Sequence, residues 1–210
     1  MSWARWGSSP CGEHGDVGGA AGDAVIDAIL DRAAHPVTTV ADMTSHSRTV
    51  IVQDPEGYAP RMSLTLPGTW GEVPDAGPVL AAYSDGRALS PAIATNVVLT
   101  AMTVPEGQDL EVWQGAVRAA QMSTLPDLQV LDDRPLDAVD GSTQRYTASV
   151  MTDQGGVSVL TRRWSRVVGE RGLTLTLTTV PMVDAQHAEL LDAVAASWTV
   201  DAPATDGALR

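Results

Sequence analysis

The chain has no lysine, no phenylalanine and a single cysteine among its 210 residues, and each shortage excludes something. One thiol, Cys11, makes no internal disulfide, so the fold must stand on its core. With aromatic residues at 4%, that core has to be built from Val, Leu, Ala, Met and a few Trp, a composition that still packs. The 13 basic residues are all Arg and face 26 Asp and Glu, for a net charge of −13. Such a chain is repelled by nucleic-acid phosphates and by anionic membrane surfaces, so neither is an expected partner. Long apolar runs are also missing: nothing approaches the roughly 18 residues of a membrane span. Nor does a basic segment followed by a hydrophobic stretch open the chain, so the sequence reads as cytoplasmic, with the cell envelope as the alternative if the true start lies upstream.

What is present is strand pattern. From Ser142 to Val180 the sequence reads as three consecutive strands joined by glycine-marked turns at Asp153-Gln154-Gly155-Gly156 and Gly169-Glu170-Arg171-Gly172, where Gly can take positive φ. In the third strand Leu173, Leu175 and Leu177 alternate with Thr174, Thr176 and Thr178, which places the core on the leucine side. The middle strand carries Arg162, Trp164 and Arg166 at two-residue spacing, expected on its other, outer face. Short connections make the ladder antiparallel.

The length suits one domain with tails. Residues 1–46, rich in Gly, Ser, Ala and Asp, read as a disordered tail with a short amphipathic helix over 23–34. The domain spans 47–200. It opens with a strand at 49–52 and a second at 62–66 that Pro67 ends, with Trp70 covering the sheet edge. Strands at 79–84 and 92–104 follow, parted by the turn Asp85-Gly86-Arg87. Asp109 is placed to cap a helix running to Thr124, with Leu110, Trp113, Val117 and Ala120 on its buried stripe. An irregular strand over 128–139 contains Pro135. After the three-strand block, Asp184 is expected to cap a last helix with the apolar stripe Leu190, Leu191, Val194 and Trp198. Residues 201–210 read as a second loose tail.

Chemistry is harder to find. A nucleophile needs a base and a group to orient it, but His14, His35, His46 and Cys11 all fall in the N-terminal tail. His187 stands alone beside an apolar stripe, where a packing role is expected. No metal-ligand spacing and no phosphate-binding glycine loop is present, so no metal and no cofactor is expected. Asp132 and Asp133 are adjacent, which on a strand turns them to opposite faces, and a solvated turn accounts for them. The feature above background is the basic and aromatic group Arg162, Arg163, Trp164, Arg166 and Arg171 in an acidic chain. Trp and Arg are enriched at protein-binding hot spots, so these five are the candidate protein-binding residues. The other reading is an outer sheet face pairing with local Asp and Glu.

The strand-to-Trp segment Leu64-Thr65-Leu66-Pro67-Gly68-Thr69-Trp70, the helix at 109–124, the three-strand block and the closing Val194-Ala195-Ala196-Ser197-Trp198-Thr199-Val200 resemble the LpqN/LpqT family of actinobacteria, which belongs with PsbP-like and DcrB-like domains. The resemblance covers residues 48–200. It implies an α/β (α+β) sandwich in which a curved antiparallel sheet carries two main helices. Most members are envelope lipoproteins without enzymatic activity that act as binding modules or adaptors. It supplies no catalytic residue, and Cys11, preceded by Gly7-Ser8-Ser9-Pro10, lacks the hydrophobic region of a lipobox. The expected function is a non-enzymatic protein-binding domain with a protein partner; the alternative is a carrier of a small apolar ligand held between sheet and helices.

Overall fold

The computed structural model describes residues 46–201, without 75, 91, 92, 126, 139 and 154 or the side chain of Ser90. The expected tails and the helix over 23–34 therefore lie outside the described residues, apart from His46 and Asp201. Among the described residues ten strands and two helices follow one another: β1 (Ser47–Val52), β2 (Met62–Pro67), β3 (Gly71–Glu72), β4 (Ala81–Ser90), β5 (Ile93–Thr103), α1 (Leu110–Thr124), β6 (Gln129–Asp137), β7 (Thr143–Thr152), β8 (Ser158–Val168), β9 (Arg171–Thr179), α2 (Pro181–Ala196) and β10 (Thr199–Val200). All pairings are antiparallel, in a small sheet ordered β1-β2-β10 and a seven-stranded sheet ordered β3-β4-β5-β9-β8-β7-β6. The fold is α+β, as expected.

The core lies on the leucine face of the large sheet. Leu173, Leu175 and Leu177 of β9 stand opposite Ala101, Leu99 and Val97 of β5. Across from them pack Val50, Val52, Met62, Leu64 and Leu66 of the small sheet and Leu190, Leu191, Val194 and Trp198 at α2, all buried in one cluster. Trp70 belongs to that cluster as well, and Arg48 donates to its carbonyl at 2.8 Å.

The helix α1 takes the opposite face, against β7 and β8. Its N-cap is as expected: the Asp109 carboxylate accepts the Val112 amide at 2.9 Å. Its buried stripe differs, because Ala120 is exposed while Gln114 is buried beside Trp113, and Arg118 and Gln121 are half-buried. A Cβ on Gly172 would lie 2.4 Å from the Trp113 ring, so the ring rests directly on the β9 backbone there. Gly172 is thus a strand residue, and the turn before it is the two-residue Gly169-Glu170 between the paired Val168 and Arg171, with Gly169 at φ 59°.

Two further expectations are corrected. Asp85-Gly86-Arg87 does not end a strand: β4 runs on to Ser90 across register shifts. Gly86 at φ 71° and the Asp85 carboxylate, which accepts the Arg87 amide at 3.0 Å, fold the segment into a bulge inside the strand. Asp184 does not cap α2; the N-cap is Val180, with Pro181 at the first turn, and the Asp184 carboxylate points to a strand instead. Pro supplies the helical φ that such a start needs.

Candidate functional site

Strand β8 decides where the candidate residues go. Arg162, Trp164 and Arg166 stand opposite Leu177, Leu175 and Leu173, and cross-strand partners share a face. The stripe expected on the outer face therefore lies on the core face, beneath α2. The reason is parity: β8 and β9 are joined by an even-numbered turn, which sets even-numbered residues of one strand against odd-numbered residues of the other.

Each member of the stripe is engaged. Trp164 is 5% exposed and belongs to the core cluster, its ring centroid 5.2 Å from that of Tyr146. Arg162 donates from Nη1 to Asp184 Oδ1 at 3.3 Å and from Nε to the Tyr146 hydroxyl at 3.2 Å, and it pairs through Nη2 with Asp192. Burial opposes its charge, yet the Tyr146 and Asp192 oxygens outweigh burial and raise its pKa. Arg166, 3% exposed, donates to Asp140 Oδ2 at 2.8 Å and to the Trp198 carbonyl at 2.9 Å, and its guanidinium lies 4.3 Å from the Trp198 ring. Burial lowers the Arg166 pKa and Asp140 offsets part of that. Asp140 in turn is held below the usual carboxylate range, chiefly by the Ser142 hydroxyl and amide, with Arg166 adding to them.

The other two candidates are elsewhere. Arg163 turns to the opposite face, between Thr147 and Thr176, where burial lowers its pKa. Arg171, at the start of β9, lies 3.8 Å from the Tyr58 ring and donates to the Tyr58 carbonyl at 2.9 Å and to Thr103 Oγ1 at 2.6 Å. Five residues gathered in sequence thus go to three places, and two of them are inside the protein.

The remaining sequence candidates lie on β6 and α2. Asp132 and Asp133 occupy β6 rather than a turn, and they do face opposite sides. Asp132 pairs with Arg134 at 3.1 Å, while Asp133 receives Arg145 at 2.6 Å and also Arg118 of α1. His187 sits where α2 departs from helical geometry, at φ −120° and ψ 18°, and its Nδ1 is buried without a hydrogen-bond partner.

Beside the stripe is a cleft of about 220 Å³, which no sequence pattern suggested, lined by Leu136, Asp137, Gln144, Trp164, Arg166, Asp192, Ala195 and Ala196. Gln144 and Arg166 are the next residues beyond the last paired rung of β7 and β8, Arg145 with Ser165. Gln144 Oε1 and Arg166 Nε are both buried and have no hydrogen-bond partner. Four of the eight lining residues are polar or charged, and the volume falls below the roughly 300 Å³ expected of a pocket for a whole small molecule.

No family model matches the chain, and no curated protein does by sequence. Solved structures do match. LpqN, described as involved in cell envelope biogenesis of Mycobacterium tuberculosis, superposes with a TM-score of 0.58 at 15% identity, over 80% of this chain and 100% of that one. The cyanobacterial PsbP of Synechocystis sp. PCC 6803 gives 0.51 at 16% identity, over 74% of this chain and 93% of that one. The chain has a PsbP-like fold. At these identities the likeness is one of fold. Among the described residues, no helix is long and apolar enough to cross a membrane.

Proposed function

We propose that the chain is a non-enzymatic protein-binding domain of LpqN/LpqT type. The observation that carries this reading is a set of exposed apolar side chains where α1 meets β6. Met122 in the last turn of the helix is 53% exposed, and Leu131 and Val130 at the start of the strand are 59% and 36% exposed. Four residues connect the helix to the strand, and among them the Leu128 amide donates to the Leu125 carbonyl at 3.0 Å. Exposed large apolar side chains close together in sequence are candidates for a site of association. We put the docking surface here rather than on the Arg162, Trp164 and Arg166 stripe, whose members are engaged inside the domain. The alternative, carriage of a small apolar ligand, is disfavoured by the charged wall and small volume of the cleft.

Two locations are compatible with this reading: the cytoplasm, and the cell envelope to which the LpqN likeness draws attention. The test is capture of a specific partner from the source cells by the tagged full chain, beside a variant carrying Met122→Asp and Leu131→Asp. A partner held by the wild type and released by the variant supports the reading. Equal capture by both refutes the surface, and no specific capture by either refutes the function.

A further inference from the structure

We infer that Arg163, on the α1 side of the large sheet, anchors a binding site for a carboxylate. Six described arginines are buried or half-buried: Arg118, Arg145, Arg162, Arg163, Arg166 and Arg171. Five of them have partners. Asp133 serves Arg118 and Arg145, Asp184 and Asp192 serve Arg162, Asp140 serves Arg166, and the Tyr58 carbonyl and Thr103 hydroxyl serve Arg171. Arg163 makes no hydrogen bond, ion pair or ring contact with another described residue, and burial lowers its pKa with no charge beside it to offset the loss. A cation drawn out of water is costly unless it is paired, so the missing anion at Arg163 asks for a source.

The surroundings are built to receive one. Thr147 of β7 and Thr176 of β9 stand directly opposite Arg163, Thr161 and Ser165 flank it on β8, and the adjoining rungs bring Ser149, Thr174, Thr178 and Arg145. Cross-strand partners share a face, so seven of the eight neighbours carry hydroxyls and none carries a carboxylate. They lie about 5 Å away across the strands and about 7 Å along them. The Ser165 and Thr174 hydroxyls bond each other at 3.3 Å, whereas those of Thr161, Thr176 and Thr178 have no bond to another described residue. The charges on this face are Arg118, Arg145 and Arg163 against Asp133 and Asp137, an excess of one positive charge. The acidic residues at the two ends of α1 do not fill the gap: Asp109 accepts the Val112 amide, Asp127 accepts the Thr152 amide, and Glu111 is exposed. One guanidinium offers two parallel N–H groups to the two oxygens of a carboxylate, and neighbouring hydroxyls can donate to the same oxygens.

The path of α1 leaves the site reachable. The helix begins with Trp113 on Gly172 of β9 and ends four residues before β6, whose Val130 is level with Ser149. The stripe that starts at Trp113 continues through Val117, Ala120 and Thr124. It is buried at Trp113, half-buried at Val117 and exposed at Ala120 and Thr124. The helix therefore moves off β9 as it runs, and a shelf opens with Ala120 and Thr124 as its wall and Arg163, Thr176 and Thr178 as its floor.

The test titrates the full chain, at constant ionic strength, with the blocked peptide Gly-Ser-Glu-Ser-Gly, with its glutamine counterpart and with sodium propionate. NMR follows the Arg163 Nε–H and the Thr176 amide. The expected result is a saturable shift with a carboxylate probe and none with the glutamine peptide. Affinity should fall by about tenfold in Arg163→Gln, read at the Thr176 amide, and by about threefold in Thr176→Val, which removes one hydroxyl and keeps the shape. Arg163 has no described partner to lose, so Arg163→Gln should melt no earlier than the wild type; a melting temperature lower by several degrees would make the side chain a structural member of the sheet and overturn the inference. No saturable shift, equal shifts with the glutamine peptide, or unchanged affinity in Arg163→Gln would overturn it as well. Tighter binding of the glutamate peptide than of propionate assigns the site to an acidic side chain of a protein, and the reverse or equality assigns it to a free carboxylate; both support the site. No captured partner enters this test, so the reading that rests on Met122 and Leu131 stands or falls separately.

Discussion

Replacing Trp164 by Ala separates a docking residue from a core residue. Trp164 is 5% exposed and lies in the core cluster with Tyr146 and Leu175, beneath α2. A Trp side chain buries about 200 Å², and at about 25 cal/mol per Å² its removal forfeits about 5 kcal/mol of transfer free energy. Partial collapse of the site moderates this, and truncations of this kind cost about 3–5 kcal/mol. The guanidinium of Arg162, 5.3 Å from the ring, loses its aromatic neighbour as well. Because a domain of this size holds only about 5–15 kcal/mol in total, the variant would be close to unfolding. Trp164→Phe, which keeps most of the apolar volume, gives a second and measurable point near 1–2 kcal/mol. Urea unfolding followed by circular dichroism reads both. A loss below about 1 kcal/mol for Trp164→Ala, with an unchanged denaturant slope, would refute the placement of this ring in the core and return it to the surface.

Gly172→Ala would set a methyl group 2.4 Å from the Trp113 ring, an overpacking expected to cost about 1–3 kcal/mol. Thermal melts check it, and Trp113→Leu in the same chain should recover part of the loss; an unaltered melting temperature for Gly172→Ala alone contradicts the contact. The pH dependence follows from Asp140, whose folded pKa is lowered chiefly by Ser142 and further by Arg166. A depressed carboxylate contributes stability that is fully present above its unfolded value, roughly pH 4, and is lost as pH falls through the folded value. Asp140→Asn should therefore flatten the acid limb of a stability-against-pH curve, and an identical limb in both proteins would show that the Asp140 shift is not linked to folding.

The sheet, both helices and most strand bounds were legible because local signals agreed. Leu-Thr alternation marked β9, Asp109 marked the start of α1, and the apolar stripe marked α2. The faces of β8 were misread, although any even-numbered turn after Val168 sets Trp164 beside a leucine of β9. What argued against that placement was the charge of Arg162 and Arg166. Arginine is rarely buried unless paired, and the pairing carboxylates come from Asp140, Asp184 and Asp192, which are far along the chain. The continuation of β4 through Asp85-Gly86-Arg87 was hidden for a related reason, since a bulge and a turn use the same residues. The cleft had no sequence signal at all, because Asp137, Gln144 and Asp192 come together only when β6, β7 and α2 have packed.

Strand β6 forms one border of the large sheet, and among the described residues nothing pairs with its outer side. A border of nine residues is long enough to recruit another chain, yet its pairing with β7 slips between Val130 and Asp132, and Pro135 offers no amide hydrogen. An incoming strand would meet two interruptions, so growth of copy upon copy along this border is self-limiting. On the protein-binding reading proposed above, the same interruptions mean that a partner beside Leu131 would be recognised by its side chains, a selective contact where an open backbone ladder would accept almost any sequence.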